Sequence, residues 1–132
     1  MALQLTVVTP ERRVLETEAD EIEMPGAQGY LGILPGHAPL ITLLGTGVLS
    51  VRKGGSSTAL AVSSGLAEVS ADKVSVLADS AEGAAEIDAA AAERDRAKAE
   101  EEMKSAGVDT LDEIRTRLEL AQARISVARR PA

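Results

Sequence analysis

The sequence predicts two units in series, an antiparallel all-β sandwich or barrel over residues 1–84 and an antiparallel two-helix hairpin over residues 85–132. Three observations predict it. Almost all the glycines, four of the five prolines and most of the Val and Thr precede residue 84, whereas the remainder is rich in Ala, Glu and Arg. Before that shift, apolar residues alternate with a period of two; after it they recur at spacings of three and four.

The strands follow in order. Leu3, Leu5 and Val7 alternate with Gln4, Thr6 and Val8, which buries one face, and Ile22 and Met24 continue such a face beside Glu21 and Glu23. Val48–Val51 and Thr58–Val62 flank Lys53-Gly54-Gly55-Ser56, where a Gly-Gly pair permits the positive φ of a tight hairpin. Leu66–Ser70 and Lys73–Ala78 flank Ala71-Asp72, a second short turn. Short strands with frequent turns and no intervening helix indicate an antiparallel sandwich or barrel.

The helices are expected at roughly residues 86–104 and 111–128. Gly107 supplies a stop for the first, and Thr110 with Glu113 forms a capping box for the second. Leu111, Ile114, Leu118, Ala121, Ile125 and Ala128 then make a heptad stripe, which predicts packing along one narrow seam. The first helix answers with Ile87, Ala90, Ala91 and Ala97. Alanine allows close approach but contributes little burial, so the hairpin is helical by propensity and weakly held by packing. Two arrangements stay open: a permanently docked hairpin, and one that lifts off and extends.

Composition excludes several classes of function. Acidic residues outnumber basic ones, 21 to 14, for a net charge of −7, so no nucleic-acid partner is expected. With no cysteine there is no disulfide or thiolate site. No signal peptide is evident, and no apolar run approaches the ~18 residues of a membrane span, so direct membrane insertion is not expected. One Tyr is the only aromatic residue, leaving a core of aliphatic side chains that leans on a partner for part of its stability.

Candidate chemistry is sparse. Gly26-Ala27-Gln28-Gly29-Tyr30-Leu31-Gly32 has closely spaced glycines, but the following residues read as strand and turn rather than the helix a phosphate loop requires. His37 is the only histidine, and no Ser, Asp or Glu is placed to work with it in catalysis or metal binding; a loop residue with a contact role fits it better. Glu86, Asp88, Glu93, Asp95, Glu100, Glu101 and Glu102 scatter around the first helix as a solvated face. No catalytic set, metal site or cofactor is expected. From Ile114 onward, however, Arg115, Arg117, Arg124, Arg129 and Arg130 face one acidic residue, Glu119. Cations at a helix C-terminus explain Arg129 and Arg130 but not Arg115 and Arg117, which sit in the first turns. A basic helix aimed at an acidic partner accounts for them.

The run Gly29-Tyr30-Leu31-Gly32-Ile33-Leu34-Pro35-Gly36-His37-Ala38-Pro39-Leu40 resembles the signature segment of epsilon subunits of bacterial-type F-type ATP synthases (delta in mitochondria). The resemblance continues at Leu5–Glu11, Gly65–Val69, Val74–Glu82 and Ile87-Asp88. It implies a β-sandwich of about ten strands and a C-terminal hairpin, in a non-catalytic subunit of the rotating central stalk. Such a subunit grips gamma and sits on the c-ring, coupling proton flow to ATP synthesis. By resemblance, Gly29, Tyr30 and Leu31, with His37 nearby, contact the ring and gamma. In an extended hairpin, Arg115, Arg117, Arg124 and Arg129 would meet the alpha/beta head and inhibit ATP hydrolysis. The implied location is peripheral, on the cytoplasmic face of the plasma membrane or an equivalent energy-coupling membrane, through the complex. A stand-alone β-sandwich adaptor or ligand-sensing module with a helical arm is the alternative.

Two departures from the family pattern stand out. Some members bind ATP through I-D-x-x-R-A; here Ile87 and Asp88 are followed by Ala91 where the Arg would stand, which removes a phosphate-binding cation. Leu66 occupies a position where an aromatic is common and reads as a change of core volume.

Overall fold

The computed structural model describes residues 2–130; Met1, Pro131 and Ala132, the outermost residues of the two expected units, lie outside the described residues. Eight strands come first: β1 (Leu3–Val8), β2 (Arg13–Ala19), β3 (Glu21–Gly26), β4 (Gly29–Ile33), β5 (Leu40–Leu44), β6 (Gly47–Lys53), β7 (Ser56–Ser70) and β8 (Lys73–Gly83). A 3-10 turn at Ala84–Glu86 leads to helices α1 (Ala89–Met103) and α2 (Val108–Ala128).

The two longest strands explain how eight strands serve a fold expected to have about ten. β7 bends at Ser64 and Gly65, whose φ angles are 43° and 145°, and its pairing with β8 skips a step there, from Ser63–Ser80 to Gly65–Ala78. Before the bend β7 pairs with β6, and after it with β5. Each long strand therefore serves both layers of the sandwich. One layer runs β2, β1, the first half of β8, the second half of β7, then β5; the other runs through the remaining halves to β6, β3 and β4. Pairing is antiparallel throughout except between β1 and β8, which run parallel.

Alternation sets the core. Leu3, Leu5, Val7, Ile22, Met24, Ile33, Leu49, Val62, Val69, Val74 and Val76 are buried in one aliphatic cluster between the layers. Each such side chain contributes about 1.5–3 kcal/mol on burial. Two-residue turns hold the register. Lys53 pairs with Ser56 around Gly54-Gly55, and Ser70 pairs with Lys73 around Ala71-Asp72, where both turn residues adopt positive φ (49° and 64°).

The hairpin differs from the sequence expectation in three ways. First, α1 starts at Ala89, because the Asp88 carboxylate caps it by accepting from the Ala91 amide at 3.0 Å. Second, α2 starts at Val108 with Gly107 as its N-cap. Thr110 is already helical and its hydroxyl turns back to the Gly107 carbonyl, so the Thr110/Glu113 capping box does not form and Gly107 opens α2 rather than closing α1. Third, the α1 face is Ala92 and Ala99, with Ala90 and Ala97 exposed and Ala91 only half-buried; alanine on every side of this helix gave the sequence no contrast from which to read its phase.

α2 also buries more than one seam. Ile114, Ala121 and Ile125 of the heptad stripe are buried, and so are Ala123 and Val127 on a second face. That second face meets Ala61, Ala59 and Val48 of the sandwich, with Ile87. α2 thus packs on β6 and β7, while α1 packs on α2. The hairpin is docked, through a small seat made mostly of alanine.

Candidate functional site

Three features outside the core carry recognition chemistry: an apolar sheet face, two loops, and the arginines of α2. The sheet face follows from strand parity. Leu44, Ala67, Val69 and Val76 point into the core, so Leu43, Leu66 and Leu77 point out. Pairing places Leu43 beside Leu66, Leu66 beside Leu77, and Leu77 beside Val8, a row across four strands. Leu43 and Leu77 are 64% and 54% exposed, and Ile41 stands exposed two residues from Leu43. A contiguous apolar row on a surface is a docking feature. The sequence reading missed it and placed Leu66 in the core, whereas Leu66 lies on the outer face. The available signal was that Leu40–Leu44 is apolar at both parities, which a strand with one wet face would not be.

The loop residues separate into two places. Gly29, Tyr30 and Leu31 open β4 after the Ala27-Gln28 turn and line a shallow depression with Ile41, Thr42 and Leu43, at the margin of the apolar row. Leu31 packs on the core. The Tyr30 hydroxyl accepts from the Val48 amide at 3.0 Å, and its ring approaches a hollow shared with Glu119, Gln122 and Ser126 of α2. His37 sits on the β4–β5 loop instead. Its Nδ1 donates to the Ala38 carbonyl at 2.7 Å, and the neighbouring Gly36 amide donates to Asp72 Oδ1 at 2.8 Å. This pins the Pro35–His37 loop to the β7–β8 turn. Among the described residues His37 hydrogen-bonds to no carboxylate or hydroxyl, and no group of three His, Cys, Asp or Glu is placed to hold a metal.

All four arginines singled out on α2 are paired. Arg115 meets Asp112 one turn earlier at 3.4 Å. Arg117 meets Glu102 at 2.6 Å and Arg129 meets Glu93 at 2.7 Å, both across to α1. Arg124 Nε donates to Glu82 Oε1 on β8 at 2.7 Å. Glu93 also receives Arg96, whose guanidinium is held above its ordinary pKa by Glu100 and then Glu93. In the docked state, then, these charges are satisfied within the chain. Ile87 packs against the cluster of Ala61, Ala123 and Val127, and exposed Asp88 caps α1 through Oδ1.

Comparison with known proteins gives concordant results. Residues 2–84 match the family model described as ATP synthase, Delta/Epsilon chain, beta-sandwich domain. The ATP synthase epsilon chain of Solibacter usitatus is 49% identical over 67 residues, 51% of this chain and 50% of that one. The corresponding chain of Gloeobacter violaceus is 49% identical over 69 residues, 52% of each. The aligned stretch thus spans about half the length of these relatives. In fold, the chain is similar to one in the Euglena gracilis mitochondrial ATP synthase (OSCP/F1/c-ring), with a TM-score of 0.81, 22% identity, and coverage of 96% of this chain and 81% of that one. A chain from the Tetrahymena thermophila mitochondrial ATP synthase central stalk and c-ring gives 0.61 at 13% identity, covering 97% of each.

Proposed function

The chain belongs to the ATP synthase delta/epsilon family by its β-sandwich domain, and from that premise we propose that it is a non-catalytic rotor subunit of the central stalk. In this role it couples proton flow through the c-ring to ATP synthesis in the head. The observation that carries the reading is the outward row Leu43, Leu66, Leu77 and Val8. A subunit that transmits torque needs a grip that does not slip, and apolar area on a rigid sheet provides one. We assign the row to gamma.

The ring contact falls to the turns. The Pro35–His37 loop is braced by Asp72 and carries exposed Leu34 beside half-buried His37. Gly29, Tyr30 and Leu31 lie next to the apolar row, which fits a place where gamma and ring contacts meet. The subunit then sits peripherally at an energy-coupling membrane, on its cytoplasmic face, held there by the complex. No described helix is long and apolar enough to cross a membrane.

Regulation falls to the hairpin. Undocking frees Arg124, and extension of the hairpin then frees Arg117 and Arg129. With Arg115 they meet the acidic surface of the alpha/beta head, where an extended hairpin would block hydrolysis. Regulatory ATP binding is not part of this reading, since Ala91 contributes only a backbone amide to the Asp88 cap.

Two experiments test the proposal. Purified chain should associate with gamma, whereas a free-standing adaptor would not. Deleting residues 86–132 should raise ATP hydrolysis by the assembled enzyme; unchanged hydrolysis would remove the inhibitory role and leave the coupling role standing.

A further inference from the structure

The ion pairs of α2 differ in what they join. Arg115–Asp112 lies within α2, and Arg117–Glu102 and Arg129–Glu93 join α2 to α1. All three would travel with a hairpin that lifts as a unit. Arg124–Glu82 alone, among the described residues, joins the hairpin to a strand of the sandwich. It is also the most enclosed of the described pairs, with side chains 29% and 27% exposed, so salt and water screen it least. Beneath it the seat is Ala123 and Val127 on Ala61, with Val48, Ala59 and Ile87 packed against them, mostly small side chains that bury little area each. On the other side of the junction Arg12 pairs with Glu86, whose second oxygen accepts from the Gly83 amide. That clamp fixes the 3-10 turn to the β1–β2 loop and leaves Ile87-Asp88 as the first residues beyond it, where a departing hairpin would pivot.

We propose that Arg124–Glu82 is the lock of the docked state, and that the hairpin leaves the sandwich in two stages. Loss of this one pair favours departure of α1 and α2 together, pivoting at Ile87-Asp88. Separation of α1 from α2 is a later step that breaks Arg117–Glu102 and Arg129–Glu93. The first stage frees the Arg124 charge while the helix pair persists. This rests on reading the hairpin as a mobile arm, but not on what the arm binds.

The chain has no cysteine, so single thiols report each interface. Ala123→Cys probes the α2–sandwich seat and Ala99→Cys probes the buried face of α1; both alanines are buried. Labelling by a thiol reagent measures how often each interface opens. Glu82→Gln keeps the shape and a hydrogen-bond acceptor but removes the charge. It should speed labelling at Ala123→Cys roughly fivefold, the effect of a well-placed surface pair, and leave Ala99→Cys unchanged. The swap Glu82→Arg with Arg124→Glu should restore slow labelling, and Asp112→Asn should do nothing at either site. Unchanged labelling at Ala123→Cys in Glu82→Gln would overturn the lock. Equal acceleration at both thiols would overturn the two-stage order. The assay uses the chain alone, so failure to bind gamma leaves its outcome independent.

Discussion

Gly65 passes so close to Leu77 that a Cβ on the glycine would stand 2.0 Å from the Leu77 carbonyl oxygen. The contact lies where β7 bends between layers, with Gly65 at a φ of 145°. Gly65→Ala should therefore cost more than about 3 kcal/mol, since both the backbone region and the space exclude a side chain. Urea unfolding followed by circular dichroism would show it as a large drop in midpoint; an unchanged midpoint would mean that the bend is built otherwise.

Ala71 predicts the opposite sign. It adopts φ 49° in a two-residue turn whose other member, Asp72, is also left-handed. Ala71→Gly relieves the Cβ penalty of that region, worth about 1 kcal/mol net of the added chain entropy. The variant should melt a few degrees higher than the parent, and a lower melting temperature would contradict the turn geometry.

Tyr30→Phe tests the link between the β4 turn and β6. The Val48 amide loses its acceptor at 3.0 Å, for a loss of about 0.5–1.5 kcal/mol. Hydrogen exchange at Val48 should accelerate while exchange at the core amides of Val74 and Val76 stays within the global change. Equal protection at Val48 in both proteins would show that the hydroxyl is dispensable.

The sandwich was legible in the sequence where polar residues mark the second face. Leu3, Leu5 and Val7 declare their burial because Gln4 and Thr6 lie between them. The Gly54-Gly55 and Ala71-Asp72 turns were legible for the same local reason. What lay hidden depended on parity or on distance. Leu43, Leu66 and Leu77 sit among apolar neighbours, so a core position and a docking position look alike along the chain. In α1 the alanines at 89–92 left the buried face undetermined, and the structure chose Ala92 and Ala99. The basic excess of α2 was plain, but its neutralisation was not. Glu82 is 42 residues from Arg124, and only the docked hairpin brings them together.

High salt should act on the hairpin before it acts on the sandwich. At about 1 M the screening length falls to about 3 Å, which weakens Arg124–Glu82 and the pairs across the hairpin while the aliphatic core is unaffected or strengthened. Limited proteolysis should then cut more readily near Ile87-Asp88 while residues 2–83 stay intact. Cleavage within the sandwich at the same rate would contradict the separation of the two units.

The claim that the chain is a rotor subunit gripping gamma through its outer sheet face meets its most direct test in one association measurement. Gamma is immobilised and offered the parent chain or the double variant Leu43→Glu, Leu77→Glu. Both side chains already face water, so the variant should unfold within about 1 kcal/mol of the parent. The account predicts that the parent is retained and the variant, equally folded, is lost. A parent chain that fails to bind gamma, or a variant that binds as well as the parent, would contradict it.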